Sequence, residues 1–97
     1  MAKGWLYILR CSDGSYYTGF TNNLEKRLEE HRTGGGGAFT SRRLPVELVF
    51  QQEFPTEHEA FVAERQIKNW SRAKKEALIA GDWDTVRWLA KKPRFRR

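Results

Sequence analysis

The sequence predicts an α+β domain, a small, mainly antiparallel three-stranded sheet flanked by helices in the order β-β-α-β-α-α-α. Three observations carry that expectation. Ninety-seven residues suffice for one hydrophobic core, and halving the chain would leave each part too small for its own. Two aromatic and β-branched runs close to the start flank the turn signal Asp13-Gly14, the pattern of a hairpin. Thereafter one strand-like run stands among four helix-start signals, at Asn22, Thr56, Ser71 and Asp82, which is too few strands for a doubly wound sheet.

The elements follow in order. Residues 5–11 (WLYILRC) and 15–20 (SYYTGF) contain no breaker and form the hairpin. Asn22 caps a first helix, with Glu25 placed to complete a capping box. Leu24 and Leu28 mark its buried stripe to about Arg32. Thr33 and four glycines, 34–37, end it and make the longest flexible stretch of the chain. Residues 38–44 (AFTSRRL) show no period and read as a loop. Pro45 opens a third strand to Phe54, with Val46, Leu48 and Phe50 alternating, and Pro55 closes it. Thr56 caps a helix to about Trp70, with Glu59 at the capping-box position. Ser71 caps a short helix that Gly81 stops. Asp82 caps a last helix with Trp83, Val86 and Ala90 on one face, and Pro93 ends it. Residues 1–80 are expected to form the domain, with 81–97 a C-terminal helix and basic tail rather than a second unit.

Composition excludes several classes. The mean hydropathy is −0.75 and no apolar run approaches a membrane span, so no membrane partner is expected. The single Cys11 rules out an internal disulfide framework and a multi-cysteine zinc site and suits a reducing cytoplasm. His31, His58 and Cys11 match no metal spacing, and the glycine run is not a P-loop. The charge is +6, yet the last eleven residues alone hold six basic side chains and no acidic one. The excess is thus concentrated at one end, which points to an anionic partner, nucleic acid ahead of a membrane surface. A solvated tail that aids solubility is the plain alternative.

Three sets of residues could carry chemistry. Glu64 lies between Ala60 and Ile67 at the edge of an apolar helix stripe, where a carboxylate needs an arginine, a hydrogen-bond network or a metal. An ion pair is the ordinary outcome, and Lys68 is its one cation a helical turn away. Arg27 and His31 share a helix face; a surface charge and a surface imidazole are the usual interpretation of such a pair. Tyr7 and Tyr17 lie on paired strands, and the loop decides their faces. A two-residue Asp13-Gly14 turn puts them on opposite faces. A three-residue Ser12-Asp13-Gly14 loop puts Tyr7, Leu9, Tyr17 and Gly19 together. Ser-Asp-Gly suits the latter, a type I turn with Gly14 left-handed in a G1 bulge.

Trp5-Leu6-Tyr7, followed after a short interval by Tyr17-Thr18-Gly19, resembles the paired motif of the GIY-YIG nuclease superfamily. The stretch LYILRCSDGSYYTGFTNNLEKRLEEH looks especially like its small stand-alone bacterial branch, and the likeness covers roughly residues 5–70. The resemblance implies endonucleolytic phosphodiester hydrolysis with one divalent cation, Mg²⁺ or Mn²⁺, and no small-molecule cofactor. It implies nucleic acid as partner, DNA ahead of RNA, with DNA repair or processing as the setting. It matches Tyr7 and Tyr17 to the motif tyrosines, with Tyr7 the base and Tyr17 in support. It matches Arg27 to the helix arginine, His31 to a histidine of some members, and Glu64 to the metal-binding glutamate. Trp5, Leu6 and Thr18 depart from the motif at positions that shape packing. Asn69 stands only five residues after Glu64, closer than the family asparagine, and its role is not carried over. Nucleic-acid contacts are expected from Arg42, Arg43, Lys68, Lys91, Lys92, Arg94, Arg96 and Arg97. A non-catalytic binding module on the same fold is the alternative.

Overall fold

The computed structural model describes residues 3–91, the last helix beyond Arg87 by its backbone alone. Strands β1 (Gly4–Arg10), β2 (Tyr16–Thr21) and β3 (Glu47–Phe54) form one antiparallel sheet in the order β2-β1-β3. Helices α1 (Leu24–Arg32) and α2 (Ala38–Ser41) come between β2 and β3; α3 (Glu57–Lys68), α4 (Arg72–Ile79) and α5 (Trp83–Lys91) follow. The expected class and order hold, with one element added. Residues 38–41 form a single helical turn where a loop was expected. One turn shows no period in a sequence, and this one is anchored from outside, Thr40 being wholly buried.

The hairpin closes through three residues. The Cys11 N–H donates to the Ser15 carbonyl at 2.9 Å and the Gly14 N–H to the Cys11 carbonyl at 2.9 Å. Gly14 takes φ 84°, the left-handed conformation that a G1 bulge requires. Leu9 therefore pairs with Tyr17 and Tyr7 with Gly19, and both tyrosines share a face.

The other face of β1 makes the core. Leu6 and Ile8 are fully buried and pack with Ile67, Ala77, Leu78 and Val86 from the last three helices. Each large apolar side chain contributes about 1.5–3 kcal/mol by leaving water. The β1–β3 ladder slips between Ile8 and Leu9, which pair with Phe50 and Leu48. This bulge puts Leu48 and Phe50 on opposite faces, correcting the simple alternation expected for residues 46–50. On α5 Val86 is buried while Trp83, one turn before it, is 51% exposed; the Ala90 side chain lies outside the described ones.

The helix ends follow local chemistry. Thr56 Oγ1, Ser71 Oγ and Asp82 Oδ1 accept the N–H three residues on, from Glu59, Lys74 and Thr85. The α1 cap is Asn23, not Asn22, accepting from Lys26 at 3.2 Å. Thr21 Oγ1 accepts the Asn23 N–H and sets the cap one residue later. The α3 helix ends at Lys68 rather than Trp70. The glycine run is more than a flexible break. Gly35 N–H donates to the Glu30 carbonyl and Gly34 N–H to that of His31, with φ 91° at Gly34, a Schellman termination.

Candidate active site

The central strand delivers Tyr7 to the β2 edge of the sheet because Gly19, its register partner, has no side chain in the way. A Cβ at Gly19 would lie 2.6 Å from Tyr7 Cζ and from its oxygen. Tyr17 follows from the same hairpin register, its ring centroid 6.3 Å from that of Tyr7. Helix α1 supplies Arg27 and His31 one turn apart. Helix α3, laid across β1 and β2 on the opposite face, brings Glu64 to the edge of its buried stripe. The result is a cleft of about 560 Å³ lined by Tyr7, Tyr17, Arg27, Glu64 and Lys68, together with Gly19, Phe20, Phe61, Arg65 and Asn69.

His31 is a correction to the surface imidazole that its spacing suggested. It is wholly buried, with Tyr7 Oη 2.9 Å from Nε2 and Thr40 Oγ1 2.8 Å from Nδ1. The Tyr17 ring centroid lies 5.2 Å from that of His31, the planes tilted by 58°, and 5.9 Å from that of Phe39. Burial holds the His31 pKa below its ordinary value, and the Arg27 charge adds to that, so the ring is neutral near pH 7. Burial likewise pushes the Tyr7 phenol up, while the Arg27 guanidinium beside it opposes part of the shift.

Arg27 is only partly exposed. It donates to Glu30 Oε1 at 2.9 Å and to the Gly36 carbonyl at 3.4 Å. The Glu30 carboxylate first, then Tyr7, make it harder still to deprotonate. A fixed cation thus stands beside two phenols and the open cleft.

Glu64 is 6% exposed and its Oε2 lies 3.1 Å from Lys68 Nζ. Among the described residues no group of three His, Cys, Asp or Glu side chains surrounds a point that could hold a cation. One carboxylate facing an open cleft still fits Mg²⁺, which keeps several waters and takes its remaining oxygens from a phosphate.

The expected contacts are not all here. Lys68 lines the cleft. Arg43 is engaged elsewhere, donating to Asp13 Oδ2 at 3.0 Å and to the Phe39 carbonyl at 2.8 Å and lying over the Phe39 ring. Arg42 follows α2 directly, outside the cleft lining. The side chains of Lys91, Lys92, Arg94, Arg96 and Arg97 lie outside the described residues. Arg65 and Asn69 join the cleft although the sequence assigned them no part in it. Both lie within one or two turns of Glu64 on the same helix end, and that spacing was their available signal.

Residues 3–77 match the family described as the GIY-YIG catalytic domain. This chain belongs to the GIY-YIG nuclease-domain family. Its relatives include a UPF0213 protein of Staphylococcus saprophyticus, 46% identical over 80 residues that cover 82% of this chain and 98% of the relative. A UPF0213 protein of Natronomonas pharaonis is 44% identical over 81 residues, covering 84% of this chain and 95% of that one. The solution structure of a UPF0213 protein from Bacillus halodurans superimposes with a TM-score of 0.54 at 41% identity, over 80% of this chain and 83% of the other. A protein of E. faecalis gives the same TM-score of 0.54 at 31% identity, over 100% of this chain and 96% of its own. Of the motif departures, Leu6 and Thr18 are buried in the sheet and Trp5 is half-buried, and all three lie outside the cleft lining.

Proposed function

We propose that this GIY-YIG domain is a metal-dependent endonuclease that hydrolyses phosphodiester bonds, in DNA ahead of RNA. The observation that carries this is the meeting of Tyr7, Tyr17, Arg27 and Glu64, from four separate elements, in one open cleft. Glu64 would hold the divalent cation, which when bound polarises the phosphate and stabilises the leaving oxyanion. Arg27, charged at any working pH, offsets the charge that builds on the phosphoryl oxygens. Tyr7 Oη orients the attacking water and takes its proton; Tyr17, tilted against His31, packs beside that ring and lines the approach. A neutral phenol is a poor base at its ordinary pKa of ~10, so proton removal from Tyr7 depends on the cations around it. Residues 1–80 are proposed as the nuclease unit, with 81–97 adding a basic tail that contacts phosphates. A buried, unpaired Cys11 suits a reducing cytoplasm.

The test is cleavage of branched, flapped, duplex and single-stranded substrates with Mg²⁺ or Mn²⁺ and with chelator. Metal-dependent cleavage abolished in Glu64→Gln supports the proposal, as does Mn²⁺ broadening of α3 amide resonances in wild type but not in Glu64→Gln. The second reading, a binding module, rests on the Glu64–Lys68 pair, which already partners the carboxylate. Binding without any cleavage, unaltered in Glu64→Gln, decides for it.

A further inference from the structure

Thr40 and His31 are both wholly buried, and the hydroxyl of one lies 2.8 Å from Nδ1 of the other. On the far side of the ring, Nε2 lies 2.9 Å from Tyr7 Oη. A neutral imidazole has one donor and one acceptor, so the protons along this chain run in one of two directions. In the first, Tyr7 donates to Nε2 and Nδ1–H donates to Thr40. The Thr40 proton then has no acceptor, because among the described residues its hydroxyl is hydrogen-bonded to His31 alone. A buried donor without an acceptor is costly. In the second, Thr40 donates to Nδ1, Nε2–H donates to Tyr7 Oη, and the phenolic proton turns toward the cleft that Tyr7 lines. Tyr7 is itself only 1% exposed, but it lines the open cleft, where water can take that proton, whereas the wholly buried Thr40 does not line it.

The structure assigns the second direction: we infer that Thr40 is a positioning residue that fixes His31 in its Nε2–H tautomer, so that the imidazole donates to the Tyr7 oxygen. Gly36 completes the cradle. A Cβ there would fall on His31 Nδ1, well inside van der Waals contact, so the backbone runs against that nitrogen and prevents the ring from sliding off Thr40. Two consequences follow for the chemistry. His31 does not receive the Tyr7 proton. Tyr7 releases it outward to a water of the cleft, leaving phenolate and hydronium, while Nε2–H remains on the imidazole and stabilises the phenolate by hydrogen bonding.

This rests on the endonuclease proposal only for its rate consequence; the tautomer can be read without substrate. The ring nitrogens of His31 in ¹⁵N-labelled protein report it directly by long-range ¹H–¹⁵N correlation near neutral pH, with His58, the other histidine, as an internal reference. Wild type and Thr40→Ser should show a protonated Nε2 and an unprotonated Nδ1. Thr40→Val, of the same shape but without the donor, should show averaged shifts from a mixture. In cleavage, Thr40→Val should lower kcat about tenfold at unchanged KM, and Thr40→Ser should restore it. A protonated Nδ1 in wild type overturns the inference, and so does a Thr40→Val ring with the wild-type tautomer. Should Thr40→Val fail to fold, the wild-type and Thr40→Ser spectra decide alone. A protein that cleaves nothing but shows the expected tautomers refutes the nuclease and leaves the assignment standing.

Discussion

Replacing Gly19 by alanine tests how the cleft is assembled. The added carbon would sit 2.6 Å from Tyr7 Cζ and Oη and 3.1 Å from Tyr17 Cε2. Carbon atoms pack best at about 3.5–4.0 Å, so the Tyr7 ring or the β2 backbone must move by roughly 1 Å. The ring has little freedom, being fully buried and hydrogen-bonded to His31. Overpacking of this kind costs about 1–3 kcal/mol. For a domain of this size that lowers Tm by roughly 5–20 °C. A displacement of ~1 Å at a reacting group costs on the order of 10²-fold in rate. Gly14→Ala is the control. Its Cβ meets nothing, and only φ 84° is strained, so it should lose about 1 kcal/mol and keep full activity. Thermal unfolding followed by circular dichroism, and cleavage assayed well below both transitions, separate the two. Gly19→Ala with wild-type Tm and wild-type cleavage would refute the close passage of Tyr7 under β2.

Glu64→Gln should cut metal-dependent cleavage by orders of magnitude while binding to the same DNA holds or tightens, since Lys68 loses its partner; weakened binding in a gel-shift titration would contradict this. Thr18 Oγ1 is buried with no hydrogen-bond partner among the described residues, so Thr18→Val should raise stability by about 1 kcal/mol in urea denaturation and leave activity alone. The His31 pKa is depressed in the fold from 6.5, so the unfolded chain binds the proton more readily. Stability is then complete above about pH 6.5 and falls as the pH drops below it toward the folded value, and His31→Gln should flatten that limb. Deleting residues 91–97 removes five positive charges; where these side chains touch phosphates, the salt dependence of log K should become shallower by up to ~0.9 for each phosphate released.

Where chemistry is local, the sequence was a sufficient guide. Ser12-Asp13-Gly14 carries its own loop geometry, so the shared face of Tyr7 and Tyr17 was legible from residue types. The caps at Thr56, Ser71 and Asp82 each need only a side-chain oxygen three residues before a free N–H. Arg27 and Glu64 stood out because a charge beside an apolar stripe demands a partner. Distant contacts were not legible. The burial of His31 depends on Thr40, nine residues on, and Tyr7, 24 residues back, and nothing in the polar α1 sequence announces it. The register slip leaves one residue of β3, Val49, without a partner in β1, and the alternation of β3 alone does not show where the ladder slips. At Asn22 and Asn23 two good caps stand side by side, and the neighbouring Thr21 hydroxyl chooses between them.

The two phenols hang from strands of unequal security. β1 is bonded to a neighbour on each side, whereas β2, among the described residues, is bonded to β1 alone and has a free edge. Amide protons of β1 should exchange with solvent only in near-global opening, and those of β2 through smaller, more frequent excursions. Each such excursion carries Tyr17 and Gly19 away from a Tyr7 that stays pinned by β3 and by the packing of Leu6 and Ile8. The site thereby comes apart in a fixed sequence on warming. Cleavage should fade at temperatures where the far-ultraviolet spectrum is still that of the intact fold.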